Sequence, residues 1–195
     1  MHIENRVSAL VIALGFAAFL LSCTPQTGLA GHQDRKEPSH APSGAVASEI
    51  EEILFALLNQ ERARHGKPRL KPDPQLQVIA RQHSLYMARR RQLSHVNTLG
   101  DGPTERAEKA GIQTVKRTGS SLRIGILENV GFMPLGNVKG HGLVRSSRDV
   151  ALAMADEWMQ SKAHRANMLS PDASVAGIGA ASDGEGTFYL TMDLR

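Results

Sequence analysis

Among the histidine and acidic residues of the sequence, three are candidates to bind a metal ion or to move a proton together. They are His95, Glu128 and His164. Together they would supply three ligands to Zn²⁺ and leave a fourth position open, an arrangement that activates water. They are scattered along the chain, without the close spacing of a helix-borne His-Glu-x-x-His pair. The alternative is that His95 and Glu128 form a buried hydrogen bond that pins a loop to a sheet.

The sequence indicates fewer chemical roles for the other polar residues. Asp193 shares one face of the last predicted strand with Tyr189 and Thr191, where its carboxyl group could hydrogen-bond near a cleft. His83 lies on the apolar stripe of a predicted helix and is interpreted as a core residue. His141 lies in a glycine-rich segment, where we expect it to be solvated or to rim the cleft. The sequence contains no Gly-x-Ser-x-Gly elbow and no phosphate-binding glycine loop before a helix.

The first 22 residues have the pattern of a secretory signal peptide. The apolar run from Val7 to Leu21 follows Arg6 and is too short to span a bilayer comfortably. It ends in Leu20-Leu21-Ser22-Cys23, which looks like a lipobox, and Cys23 is the only cysteine. We therefore expect export and lipidation at Cys23, with the membrane as a partner through this anchor. The alternative is an ordinary signal peptide cut after Ala30, which would leave no anchor.

The composition indicates a flexible tether followed by one globular domain. Residues 23–47 contain Pro, Gly, Ser, His and Gln with few large apolar side chains, as is typical of a flexible linker. Residues 48–195 are enough for a single self-sufficient core. The formal net charge of +4 is mild. Together with the export signal it argues against nucleic acid as a partner and leaves loose attraction to an anionic membrane or cell wall open.

Hydrophobic periodicity predicts five helices. The first begins with a capping box in which Ser48 is the cap and Glu51 lies three residues on. The second begins at Asp73-Pro74, a cap followed by proline in the first turn. The predicted helices are Ser48 to about Gly66, Pro74 onward, Pro103 to Ala110, Ser147 to Gln160, and a short one from Ser161 through Leu169.

Three segments read as strands. Alternation at Leu122, Ile124 and Ile126 favours a strand running into Glu128. Two strands close the chain, Val175 to Ala181 and Thr187 to Leu194, joined by a turn at Asp183-Gly184. The glycine-rich stretch from about residue 131 to 145 reads as a long loop. Helices on both sides of a small antiparallel sheet give an α+β fold, an α/β/α sandwich.

Several short motifs, in this order, carry a resemblance to a known family. They are Leu58-Asn59-Gln60-Glu61-Arg62, Ser94-His95, Glu128-Asn129-Val130, Trp158-Met159-Gln160-Ser161, His164-Arg165-Ala166-Asn167-Met168-Leu169 and Tyr189-Leu190-Thr191-Met192-Asp193-Leu194. Together they resemble the bacterial branch of the CAP superfamily, whose domains are also called SCP or PR-1-like. The resemblance covers roughly Ile50 to Leu194 and implies the same α/β/α sandwich.

The resemblance also implies a central cleft. His95 matches the first histidine of the family's cleft, and Glu128 matches its first glutamate. The second glutamate of the eukaryotic tetrad is replaced by Ser161, and its second histidine is missing from Gly186-Thr187-Phe188. His164 is the candidate replacement. Arg165 and Asn167 are expected to brace the adjoining loop through hydrogen bonds to the backbone.

CAP domains serve many functions on one scaffold, so the resemblance indicates the fold better than the activity. The favoured interpretation is a monomeric, envelope-anchored binding protein, more a binding module than an enzyme, which recognises a lipid or cell-wall ligand in the cleft. One alternative is a metal-assisted hydrolase of envelope peptides or glycans, with Zn²⁺ as its cofactor. The other is a structural envelope adaptor that uses no cleft chemistry.

Overall fold

The computed structural model describes residues 43–118 and 121–195. The predicted signal peptide, the lipidation site at Cys23 and most of the tether lie outside these residues. The helices are α1 (Ser43–Arg64), α2 (Pro74–Arg90), α3 (Pro103–Lys109), α4 (Ser147–Gln160) and α5 (Lys162–Met168). The strands are β1 (Lys71–Pro72), β2 (Val115–Thr118), β3 (Ser121–Ile124), β4 (Leu127–Pro134), β5 (Gly136–Val138), β6 (Gly142–Val144), β7 (Val175–Ser182) and β8 (Thr187–Leu194). No helix in this part of the chain combines the length and apolar character that crossing a bilayer requires.

The predicted start of the first helix is wrong, whereas the predicted start of the second is confirmed. Helix α1 begins at Ser43, so Ser48 lies inside it and caps nothing. Glu51 is buried and accepts hydrogen bonds from Arg81 Nε, at 2.9 Å and 2.8 Å, and from the Ala180 amide at 3.0 Å. Glu51 therefore makes a buried tertiary contact and does not take part in a capping box with Ser48. Asp73 does cap α2, and its carboxylate accepts from two backbone amides of the first turn.

The central sheet has the strand order β1-β7-β8-β4. Strands β7, β8 and β4 are antiparallel, and the two-residue β1, which the sequence did not predict, pairs in parallel with β7. The predicted turn between β7 and β8 is confirmed. Asp183 accepts hydrogen bonds from the amides of Glu185 at 2.8 Å and Thr187 at 3.0 Å.

Helices cover both faces of this sheet, which confirms the α/β/α sandwich. Helix α2 lies against β7 and β8, while α1 and α4 lie on the other face. The approach of α2 requires glycine, because a Cβ atom on Gly179 would lie 2.2 Å from the backbone of Ala80. The two faces of β8 are as predicted. Phe188, Leu190, Met192 and Leu194 join the main core, and Thr191 accepts a hydrogen bond from Ser84 of α2 at 2.9 Å.

The long loop predicted from about residue 131 to 145 is wrong. Strand β4 continues to Pro134, and β5 and β6 then form a small hairpin. Glycines with positive φ, such as Gly140 at 88°, turn the chain tightly there, so the glycines mark turns between short strands. The strand predicted to run from Leu122 into Glu128 is also interrupted. It is divided into β3 and β4 at Gly125, whose φ is 106°.

Candidate functional site

The structure brings His95 and Glu128 together. His95 follows the end of α2, and Glu128 is the second residue of β4. His95 Nδ1 lies 2.8 Å from Glu128 Oε1. The glutamate side chain is only 1% exposed, whereas the histidine ring is 55% exposed. This hydrogen bond to the carboxylate raises the pKa of His95 above its ordinary value of 6.5, against the opposing effect of burial.

Arg106 of α3 completes this site, and the sequence analysis missed it. Its Nη2 donates to Glu128 Oε2, and its Nη1 donates to the carbonyl oxygens of His95 at 2.8 Å and Asp101 at 3.2 Å. One guanidinium thus neutralises Glu128 and fixes the loop that carries His95. Arg106 lies on a short, predominantly polar helix, so its sequence context resembles that of an exposed surface arginine.

Asp193 lies directly opposite Glu128 in the pairing of β4 with β8. It is fully buried, and neither carboxyl oxygen has a hydrogen-bond partner among the described residues. Burial, followed by the negative charge of Glu128, raises the pKa of Asp193 well above its ordinary value. The raised pKa favours the protonated form of Asp193, while Arg106 donates to the neighbouring Glu128 carboxylate.

His164 does not join this pair as a third ligand. Its ring packs edge-on against Trp158, with ring centroids 6.5 Å apart. Burial lowers the pKa of His164, and the positive charge of His95 lowers it further. Within residues 43–118 and 121–195, no three His, Cys, Asp or Glu side chains are grouped so that they could hold a metal ion. The predicted zinc site from His95, Glu128 and His164 does not fit this geometry, because Arg106 occupies the second oxygen of Glu128.

Helix α5 is braced against β4 by the motif that contains His164. Asn167 Nδ2 donates to the Glu128 carbonyl at 3.1 Å and to Asn129 Oδ1 at 3.0 Å. Arg165 donates to the Met159 carbonyl at 3.2 Å. Ser161 is the N-cap of α5 and accepts from the His164 amide at 3.5 Å. These contacts hold α5 against β4 beside Glu128.

Two further histidines, His83 and His141, also have structural contacts. His83 is buried, as predicted, and its Nε2 donates to the Ser94 carbonyl at 2.7 Å, just before His95. Burial lowers the pKa of His83 below 6.5. His141 is not solvated, since its side chain is only 9% exposed, and its Nε2 lies 2.7 Å from Glu157 Oε1.

An apolar groove of about 430 Å³ runs along β4 on the side away from β8. We call it the β4 groove. Phe132 and Leu93, which line it, expose 50% and 43% of their surfaces. It is lined by Leu93, residues 130–134 of β4, Val138, Met154, Glu157, Trp158, Ser161 and His164. His164 lines this groove, and its pKa is lowered first by burial and then by the positive charge of His95.

Residues 55–194 match the family model described as the cysteine-rich secretory protein family, abbreviated CAP. The matched segment covers α1 from Phe55 through β8, so it includes every element of the site. The chain's only cysteine, Cys23, lies before this segment. No curated protein matches the sequence.

Solved structures with this fold include two bacterial proteins. An outer surface protein from Borrelia burgdorferi aligns with a TM-score of 0.57 at 15% identity, over 75% of this chain and 92% of that one. An extracellular protein from Bacillus anthracis containing an SCP domain aligns with a TM-score of 0.59 at 22% identity, over 82% of this chain. The alignment spans only 45% of that Bacillus protein. At such identities the likeness concerns the fold, and it agrees with the family match over residues 55–194. The chain therefore belongs to the CAP family.

Proposed function

We propose that this CAP domain is an exported, envelope-anchored binding protein that holds an apolar ligand of the cell envelope, a lipid or a cell-wall component, in the β4 groove. The observation that carries the proposal is the exposure of Phe132 and Leu93 on the walls of one concave surface. Concave, mostly apolar surfaces with a few convergent polar groups are the usual form of a ligand site. Such a site gains free energy by removing its exposed apolar side chains from water.

The polar end of the ligand would lie toward His95. More than half of the His95 ring is exposed, and the hydrogen bond to Glu128 favours its protonated form. A protonated imidazole attracts an anionic group such as a phosphate or a carboxylate. The apolar walls would hold one part of the ligand while His95 orients its polar part.

The contacts of Glu128 support binding more than hydrolysis. A general base needs a free oxygen near the substrate, but Glu128 contacts His95 with one oxygen and Arg106 with the other. The carboxyl group of Asp193 is fully buried and therefore out of reach of a substrate. The metal-assisted hydrolase remains an alternative with less support.

Export and anchoring rest on the sequence. The apolar run before Ser22-Cys23 supports a lipoprotein signal, and the tether would let the domain extend from its anchor. The two structural relatives are described as an outer surface protein and an extracellular protein, which agrees with this location. Labelling cells with radioactive palmitate and comparing wild type with Cys23→Ala would test the anchor.

Native mass spectrometry of the full chain tests the binding proposal. The probes are a short-chain phosphatidylglycerol and soluble peptidoglycan fragments. Phe132→Glu places a charge on the groove wall, whereas Leu152→Glu places one on a part of α4 that is 41% exposed and does not line the groove. We expect a bound species in wild type and Leu152→Glu that is lost in Phe132→Glu. Equal amounts of the bound species in Phe132→Glu and Leu152→Glu, or no binding of either class of probe, would argue against the proposal.

A further inference from the structure

We propose that the β4 groove binds an extended peptide segment, which adds as a strand to the open outer edge of β4 at Phe132. This inference rests on the proposed function and names the class of ligand. It follows from the direction in which the backbone groups of β4 point. It also depends on which of these groups already have partners.

Backbone hydrogen bonds determine the direction of each group in β8. The amide and carbonyl groups of Val175 and Arg195 exchange two hydrogen bonds of 3.1 Å, and the Asp183 amide donates to the Thr187 carbonyl at 3.0 Å. In an antiparallel pair the bonded positions alternate, so the odd-numbered residues of β8 bond to β7. The even-numbered residues of β8 therefore bond to β4.

The register then gives the outward groups of β4. Leu190 pairs with Gly131 and Phe188 with Met133, so the odd-numbered residues of β4 bond to β8. The even-numbered residues direct their backbone groups away from the sheet. They are Glu128, Val130, Phe132 and Pro134.

Side chains donate only to the outward carbonyl groups in the first half of this edge. Asn167 donates to the Glu128 carbonyl at 3.1 Å, and the Trp158 indole donates to the Val130 carbonyl at 3.3 Å. No hydrogen bond from the described residues reaches the outward amide and carbonyl of Phe132. Pro134, next in the outward series, has no amide to offer, as is common on edge strands.

The opposite edge of the sheet is better covered. On β7, the Asp73 amide donates to the Ala176 carbonyl at 2.9 Å, and Glu51 accepts from the Ala180 amide at 3.0 Å. Proteins usually cover or block exposed strand edges, because an open edge pairs with other chains. The uncovered part of β4 coincides with the groove.

The groove has the shape and chemistry for one added strand. Residues 130–134 line it in succession, which gives an edge of roughly 17 Å at about 3.3 Å per residue. Side chains of the added strand would alternate between Phe132 and Leu93 on one side and Met154 and Trp158 on the other. Apolar side chains would therefore be favoured at successive positions. A lipid tail would contact the same groove walls but would leave the Phe132 amide and carbonyl unpaired.

The test uses a phage-displayed library of random linear dodecapeptides, selected on the full-length chain. The best peptide is synthesised, and each of its amides is N-methylated in turn. Added strands lose affinity at every second amide, so we expect losses of about fivefold to tenfold that alternate along the peptide core. Hydrogen exchange should show that the Phe132 amide becomes protected when the peptide binds.

Two variants at one position isolate the backbone contribution. Phe132→Ala and Phe132→Pro both remove the ring, but only proline also removes the outward amide. We expect the proline variant to bind the peptide several-fold more weakly than the alanine variant, with equal melting temperatures for the two. If the proline variant is less stable, the N-methylated peptides, which leave the protein unchanged, decide the result.

The outcomes separate this inference from the proposed function. Alternating sensitivity to N-methylation with protection of Phe132 would support the added strand and the β4 groove as a binding site, whereas the envelope ligand is supported only by binding of phosphatidylglycerol or of a peptidoglycan fragment. Binding of phosphatidylglycerol or of a peptide in the groove without these signatures would overturn the added strand and leave the binding function standing. No groove binding by peptide, lipid or peptidoglycan fragment would overturn both.

Discussion

Glu128 of β4 and Asp193 of β8 lie directly opposite each other in the pairing of the two strands, and both carboxyl groups are buried. Arg106 donates to Glu128 from one side, and His95 contacts the other oxygen of the same carboxylate. Asp193 has no such partner among the described residues. Arg106 thus donates to Glu128 and not to Asp193, and the raised pKa of Asp193 favours its uncharged form beside the Glu128 carboxylate.

From the buried pair of Glu128 and Asp193 we predict how the free energy of unfolding depends on pH. The folded-state pKa of Asp193 is raised above its ordinary value of 3.8, so the folded protein retains a proton that the unfolded chain releases. This contribution to stability is present below the unfolded pKa and is lost as the pH rises toward the folded pKa. Asp193→Asn removes it, so the stability of the variant relative to wild type should increase with pH. Urea unfolding measured from about pH 4 to 8 checks this, and parallel curves for the two proteins would contradict it.

Arg106 is predicted to be the most sensitive position of the site. Arg106→Met leaves Glu128 buried without its cation, and such a loss costs about 3–5 kcal/mol. Lys109→Met on the same helix is the matched control. The Lys109 side chain is 62% exposed in its ion pair with Asp101, so its removal should cost less than about 1 kcal/mol. Equal free energies of unfolding for the two variants would show that Arg106 does not hold the site together.

The titration of the histidines tests the electrostatics directly. The pKa of His95 lies above 6.5, whereas burial lowers the pKa values of His83 and His164 below it. The stability contributed by His95 is fully present below its unfolded pKa and is lost as the pH rises through its folded pKa. NMR titration of the histidine ring protons, with the His95 signal assigned from His95→Ala, should give His95 a higher pKa than His83 and His164. Glu128→Gln should lower the pKa of His95, and an unchanged value would refute the role of the hydrogen bond.

Much of the fold could be predicted from the sequence because it is encoded locally. The Asp73-Pro74 start of α2 and the alternation of apolar residues in β8 depend on neighbouring residues alone. Glu51 shows the limit of such patterns. Its spacing from Ser48 fits a capping box, but its carboxylate bonds to residues 30 and 129 positions away.

The candidate site was predicted only in part for the same reason. His95 and Glu128 were found through their family motifs, and the structure joins them. Arg106 escaped notice because its partners lie in two other elements, and nothing near it in sequence distinguishes it. The structure does not bring His164 to this pair as a third metal ligand, since its ring packs against Trp158.

The motif around Arg62 is predicted to stabilise the fold without contacting ligand. Its guanidinium is fully buried and donates to the carbonyls of Met168 at 2.8 Å, Ser170 at 3.0 Å and Pro68 at 2.8 Å. Arg62→Met leaves these buried carbonyls without donors, and each loss costs about 1–3 kcal/mol. We expect a large drop in the melting temperature. Arg64→Met, which removes an exposed ion pair, should leave it nearly unchanged.

The central claim is that ligands bind in the β4 groove. Amide chemical shifts of the ¹⁵N-labelled full chain, recorded during titration with short-chain phosphatidylglycerol, peptidoglycan fragments and the selected peptide, test it most directly. We predict that at least one probe shifts the amides of Gly131, Phe132 and Met133 and the Trp158 indole, with saturation and with little change on the exposed face of α2. Shifts confined to other surfaces, or none with any probe, would contradict the account.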